Sequence, residues 1–196
     1  MKKQILAAAL CALLSAAALA QTTAPGPWMV RARAVSLGSS NGDTTGLGLS
    51  INNKGLPEAD ISYFFTPNIA AELVLTVPQK QTLSARGTAI GSFYHLPPSL
   101  TLQYHFPLSG FTPYVGVGLN YTRLSSVSLP AGVDVKRNSF GPVLQAGVDI
   151  LIAKNLYLNL DVKKEYIRTD VLAGGATIGN FRIDPVLFGV GLGWRF

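Results

Sequence analysis

Apolar and polar positions alternate with a period of two through much of the chain, and residues 186–196, V-L-F-G-V-G-L-G-W-R-F, show it most clearly. A strand sends alternate side chains to opposite faces. Val186, Phe188, Val190, Leu192, Trp194 and Phe196 therefore share one face, and Leu187, Gly189, Gly191, Gly193 and Arg195 share the other. One face is a continuous apolar stripe and the other is nearly bare backbone. Lipid outside takes large residues and a crowded lumen takes glycines, so the pattern suits a narrow transmembrane barrel.

The same alternation predicts seven earlier strands, over 28–37, 58–66, 69–77, 99–106, 112–123, 140–151 and 156–166. Connections at 67–68, 107–111 and 152–155 are tight, whereas 38–57, 78–98, 125–138 and 168–183 are long. Short periplasmic turns alternating with long outer loops predict an all-β fold: an eight-stranded antiparallel transmembrane β-barrel with extended outer loops. A periplasmic β-sandwich is the rival. It would not keep Tyr63, Phe65, Tyr104, Phe106, Trp194 and Phe196 on the face that it buries.

The N-terminus fits that compartment. Lys2 and Lys3 precede an apolar run, Ile5 to Leu19, which ends in Ala18-Leu19-Ala20. This predicts a cleaved signal peptide over 1–20 and a single barrel domain over 21–196. Cys11, the one cysteine, falls inside the signal, which leaves the mature chain without disulfides or thiolate metal sites. No later run is long and apolar enough for a helical span. The formal charge of +6 is too scattered to point to nucleic acid. Lys54, Lys80, Arg86, Lys136, Arg137, Arg168 and Arg182 fall in outer loops, where they either meet anionic lipopolysaccharide or are ordinary solvated charge.

Four stretches resemble one family: P-E-A-D-I-S-Y-F-F-T-P-N-I-A-A-E-L (57–73), H-L-P-P-S-L-T-L-Q-Y-H-F (95–106), P-Y-V-G-V-G-L-N-Y-T (113–122) and I-D-P-V-L-F-G-V-G-L-G-W-R-F (183–196). The chain resembles the outer-membrane protein W (OmpW) family, which includes AlkL-type proteins. The resemblance implies a barrel in the outer membrane of a Gram-negative bacterium, with an apolar channel proposed to pass small hydrophobic molecules. Its expected partners are outer-membrane lipid, lipopolysaccharide and small hydrophobic solutes. The C-terminal strand, ending in Phe196, resembles the signal read by the barrel-assembly machinery.

Catalysis has little to work with. Acyl transfer needs a nucleophile beside a histidine base, and the chain has only His95 and His105. His95 sits beside Leu96-Pro97-Pro98 and His105 faces the lumen, so both read as structural. No catalytic residue, metal site or cofactor is expected.

The lumen says more. Strand direction places Arg31, Glu72, His105, Asp149 and Arg195 near the periplasmic end, where buried charges must pair. They read either as a salt-bridged plug or as charges that merely hold the barrel together. Higher up, Val35, Leu37, Val74, Val143 and Leu187, with Phe93 and Phe181 from long apolar loops that read as strands extended beyond the membrane, form a candidate apolar funnel. Asp60, Lys163 and Glu165 interrupt it. Pro78 on one side and Pro97-Pro98 on the other flank the outer ends of the third and fourth strands. They either end those strands or mark a sideways exit into the membrane. Two functions follow: a non-enzymatic conduit for small hydrophobic compounds, or a structural or surface-interaction barrel without transport.

Overall fold

The computed structural model describes residues 26–196, so the expected signal segment lies outside the described residues. Fifteen strands follow in chain order: β1 (Trp28–Gly38), β2 (Gly42–Asp43), β3 (Leu49–Ile51), β4 (Lys54–Phe64), β5 (Ile69–Thr76), β6 (Gln79–Ala85), β7 (Thr88–Leu96), β8 (Ser99–His105), β9 (Phe111–Ser128), β10 (Val133–Val135), β11 (Asn138–Ala153), β12 (Leu156–Glu165), β13 (Arg168–Ala173), β14 (Ala176–Arg182) and β15 (Val186–Arg195). Eight of them close on themselves in the antiparallel order β11-β12-β15-β1-β4-β5-β8-β9, with β9 returning to β11. These are the eight strands expected from alternation.

Side chains sort as the pattern requires. Arg31, Arg33, Val35 and Leu37 of β1 are buried inside. Outward residues such as Val117, Leu144, Phe188 and Leu192 face the surroundings, about half to two-thirds exposed. An apolar belt of this extent around a closed barrel is a lipid-facing surface. At the short-turn end it carries Trp28 edge-on to Tyr63, Tyr63 edge-on to Phe65, and Tyr104 edge-on to Phe106. Tyr121 and Phe140, paired across β9 and β11, lie at the opposite end of the belt.

The turns explain the closure. Thr66 Oγ1 accepts the amides of Asn68 and Ile69, which folds the β4–β5 turn tightly. Asn155 supplies a positive φ in the two-residue turn between β11 and β12, a conformation asparagine tolerates. The register shifts between Leu151 and Ala153 beside that turn. Leu151, paired with Tyr157 just before the shift, is about half exposed at the short-turn rim.

At the other end the wall does not stop at the membrane. The regions expected as long loops contain β2, β3, β6, β7, β10, β13 and β14. β7 pairs with the upper half of β9, above the point where β8 ends, and β6 and β3 follow it. Across the lumen stands a second sheet, β10-β13-β14-β2. Arg86-Gly87 and Gly174-Gly175, all at positive φ, make the two-residue turns of the hairpins β6–β7 and β13–β14.

Some lumen glycines are required by close approach. A Cβ at Gly147 would overlap the phenol ring of Tyr114, and one at Gly193 would lie 2.6 Å from the Met29 methyl and 3.0 Å from Arg31 Cγ. We therefore expect Gly147→Ala to lower stability by about 1–3 kcal/mol through overpacking. Urea unfolding of the refolded protein in detergent micelles measures this, and an unchanged midpoint would contradict it.

Candidate functional site

Closure brings three buried cations into one cluster halfway up the lumen and below. Arg31 grips Asp149 with two hydrogen bonds, 3.1 Å from Nε and 2.7 Å from Nη2. Its third nitrogen reaches Asp60 at 3.0 Å, Ser62 at 2.8 Å and Glu72 at 3.1 Å. Arg33 meets Glu58 at 2.8 Å, Asp60 at 2.7 Å and Glu72 at 3.2 Å. Lys163 bridges Glu58 at 2.6 Å and Asp161 at 3.0 Å. All these side chains are essentially buried. The register explains the meeting, because Arg31 stands opposite Asp60 and Arg33 opposite Glu58 on neighbouring strands.

Five carboxylates surround three cations, and neutral donors take up the remaining acceptors. Tyr114 donates to Asp161 at 2.6 Å, Asn159 to Asp149 at 2.8 Å, and Gln145 to Glu72 at 2.9 Å and Asp161 at 2.8 Å. Buried charge is tolerable only when satisfied in this way.

Of the expected plug residues, Arg31, Glu72 and Asp149 come together. His105 lies at the base, bonded to Gln103 at 2.9 Å and stacked on Tyr114. Arg195 is elsewhere: its Nε donates to the Gly26 carbonyl at 2.9 Å and its guanidinium lies 3.8 Å from the Phe64 ring centre. It turns to the short-turn rim, where a backbone oxygen and an aromatic face replace the acidic partner expected for it. Asp60 and Lys163, expected to interrupt the funnel, belong to the plug: Asp60 meets Arg31 and Arg33, and the long side chain of Lys163 reaches Glu58, which it shares with Arg33. Below the plug is a small space bordered by Met29, Phe64, His105, Thr112, Asp149, Tyr157 and Arg195, about 30 Å³.

Above the plug the interior turns apolar. Val35, Leu37 and Leu187, three of the expected funnel residues, pack with Leu56 into a collar. Val74 and Val143 are buried at 2% and 0% exposure. Phe93 and Phe181 sit higher, in a cluster with Leu49, Ile51, Leu83, Leu124, Val135, Ile167, Val171 and Ile183. Both sheets of the outer extension contribute to this cluster, so its members join only when the loops fold as strands. Between collar and cluster Glu165 is buried and accepts from Ser99 at 2.7 Å.

The expected exit residues lie where ladders end. β5 and β8 pair from Ile69↔Tyr104 to Val74↔Ser99, so Leu75 to Pro78 run on without β8. Pro78 is exposed and Pro97 buried. Pro57 was missed because the second strand was expected to start at Glu58. It stands on β4 above the last β4–β5 pair, Glu58↔Thr76. Having no amide hydrogen it leaves no donor, and its carbonyl accepts the Thr76 hydroxyl at 3.1 Å. Lys54 to Pro57 pair with β1 on one side and, among the described residues, with no strand on the other. The wall outside this edge holds an open groove of about 550 Å³ along Ala34, Ser36, Gly55, Pro57, Phe188 and Val190.

Removing Arg31 would strand Asp149 in the lumen and leave Asp60 and Glu72 to Arg33 alone. We expect Arg31→Met to cost roughly 3–5 kcal/mol in micelle unfolding. Arg195→Met, which breaks no ion pair, should cost far less, and equal losses would contradict the placement of Arg195 outside the plug.

The sequence profile of the OmpW family matches residues 26–196. A protein of Sinorhizobium fredii described as an uncharacterized outer-membrane protein is 42% identical over 87% of this chain and 80% of its own. Outer membrane protein W of Escherichia coli is 32% identical over the whole of both chains. Its solution structure superposes with a TM-score of 0.68 at 30% identity, covering 88% of this chain and 98% of that one. The dibenzothiophene metabolism operon protein PahQ of Pseudomonas aeruginosa is 26% identical over 70% of this chain and 69% of its own. The barrel closure, the lipid-facing belt and these likenesses agree, and the chain belongs to the OmpW family of Gram-negative outer-membrane β-barrels.

Proposed function

We propose that the protein is a conduit that takes small hydrophobic molecules from outside the cell and releases them sideways into the membrane. The observation that carries this reading is the vertical order of the lumen: an apolar layer of buried side chains, taken in this reading as the chamber, directly above a plug of buried ion pairs. An apolar solute gains from entering the first and meets a desolvated polar barrier at the second. The break in the ladders at Pro57, Leu75–Pro78 and Pro97-Pro98 supports a lateral way out, since an opening in hydrocarbon is tolerable only where backbone groups are missing or satisfied. The printed name of PahQ, which ties that relative to the metabolism of an apolar aromatic compound, is consistent with a hydrophobic passenger.

The activity is read as non-enzymatic. His95 bonds to Gln81 and His105 to Gln103, and neither arrangement holds a nucleophile. Lipopolysaccharide beside the loop cations and assembly through β15 belong to the same proposal. A second reading, a scaffold with no transport, is favoured by one observation: the chamber residues Phe93, Phe181 and Ile183 are packed against one another, 0–1% exposed.

Uptake of a labelled hydrophobic solute into liposomes with and without the protein separates the two readings. Val143→Asp and Phe181→Asp should abolish uptake while the barrel still assembles. Assembled variants that transport at the parent rate would overturn the conduit. With an environment-sensitive fluorescent solute, signal from the bilayer should precede signal from the aqueous lumen, and the reverse order would exclude the lateral exit.

A further inference from the structure

Across the barrel from the ladder break, the apolar belt ends in three outward cations with one carboxylate among them. Outward positions on β12 run Leu158, Leu160 and Val162, and the next outward residues are Lys164, Tyr166 and Arg168. Lys164 still pairs with belt residues, Leu144 on one side and Val186 on the other. Its amine climbs out of that apolar setting to the Ser40 hydroxyl at 3.2 Å and to the Asp184 carbonyl. Arg168 reaches the Asp184 carboxylate at 3.3 Å. Both cations lie beside the Tyr166 ring, 5.9 and 5.8 Å from its centre.

Arg182 has no such anchorage. It stands directly opposite Arg168 in the β13–β14 ladder, so two guanidinium groups share one face. Like charges in that position destabilise a sheet unless something anionic answers them. Asp184 answers Arg168 alone, because its other oxygen accepts the Ile167 amide at 3.0 Å. Arg182 has no ion-pair partner among the described residues, and its guanidinium leans over Gly42, which adds no side chain. The outward pair just above, Lys136 and Asp170, closes on itself at 2.6 Å.

The rim thus holds three positive charges against one negative, at the height where lipid head groups begin. Tyr121 and Phe140 mark that height, and the Arg168 amide bonds the hydroxyl of Ser139, next to Phe140. Below, Leu144, Leu160 and Phe188 present acyl chains with an apolar wall. A free anion is drawn by the charge and gains nothing from the wall, whereas a lipid with a phosphorylated head gains from both. We propose that Lys164, Arg168 and Arg182 bind the phosphate groups of outer-leaflet lipopolysaccharide, whose acyl chains lie along β11, β12 and β15. A phosphorylated saccharide head is broader than a single ion, so the three cations engage it from separate points along the rim. This rests on the reading that places lipopolysaccharide beside the outer cations and gives that lipid one site; it does not depend on the conduit.

The test measures binding of purified lipopolysaccharide to the refolded barrel in micelles by native mass spectrometry. Lipopolysaccharide stripped of its phosphates is the second probe. Arg168→Gln/Arg182→Gln should weaken binding of the intact lipid on the order of tenfold, as the loss of two exposed charge contacts implies. Binding of the stripped lipid should be weaker from the start and the same in both proteins. Arg182→Gln alone breaks no ion pair, so it keeps the fold and should show part of the same loss. Lys80→Gln/Arg86→Gln removes equal charge from the β6–β7 hairpin and should change nothing. Parent affinity in both Arg182 variants would overturn the site, as would equal binding of intact and stripped lipid by the wild type. So would displacement of the lipid by an equal concentration of inorganic phosphate, which would mark a free-anion site. A loss confined to Lys80→Gln/Arg86→Gln would keep lipopolysaccharide as a partner and overturn this site. No binding of intact lipid to the wild type would overturn both. Uptake of a hydrophobic solute reads the conduit separately, and Arg182→Gln should match the parent there.

Discussion

Every backbone amide and carbonyl inside hydrocarbon must find a partner within the protein, and the rest of this structure answers to that demand. An unpaired group there costs several kcal/mol, so the eight strands must close. Closure fixes the period-two alternation, because each residue must then choose between lipid and lumen. It also fixes the size of the lumen, which leaves room for side chains and little else. The glycines of β9, β11 and β15 follow from that size: Gly147 yields its place to Tyr114 and Gly193 to Met29 and Arg31. Where the demand is relaxed, the chain supplies residues that ask for less. Pro57 has no donor to satisfy, and its carbonyl finds the Thr76 hydroxyl.

The lumen applies the same logic to side chains. Its lower part accepts charge by pairing each of the three plug cations with more than one carboxylate and giving spare oxygens to Tyr114, Gln145 and Asn159. Its upper part avoids charge almost entirely. The two regions share one wall, since β1 presents Arg31 and Arg33 to the plug and then Val35 and Leu37 to the collar. A shift of β1 by two residues would exchange valine for arginine in the collar, so the register of this strand ties the polar and apolar layers together.

Much of this was legible in the sequence because alternation is local. Strand positions and faces followed from neighbours two apart, and pairing of Arg31 with Glu72 and Asp149 followed from the rule that buried charge must be matched. What depended on stagger was harder to read. Counting along a strand puts Asp60 and Lys163 higher because it ignores the tilt, and a charge pattern gives Arg195 a carboxylate because a backbone carbonyl and a phenyl face leave no mark in it. The hairpins of the outer extension did leave one. Val171, Leu172, Ile178 and Phe181 mark a region that reads as strand carried beyond the membrane, and Gly174-Gly175 is the two-residue turn signal within it.

The strands are unequal in length, and the inequality is not spread evenly around the barrel. β9 has 18 residues and β11 has 16, whereas β5 has 8 and β8 has 7. At the usual rise, β9 runs about 60 Å and β5 about 26 Å along the strand. On one side, then, single strands run the full height of the wall, whereas on the other β6 and β7 carry it on above β5 and β8, and the ladder break lies on that interrupted side. This gives the barrel a front and a back in the plane of the membrane. A neighbouring protein packed against β9 and β11 leaves the break open to lipid, while one packed against β4 and β5 covers it. In a crowded outer membrane, which way the molecule faces thus decides whether its interrupted side touches lipid at all.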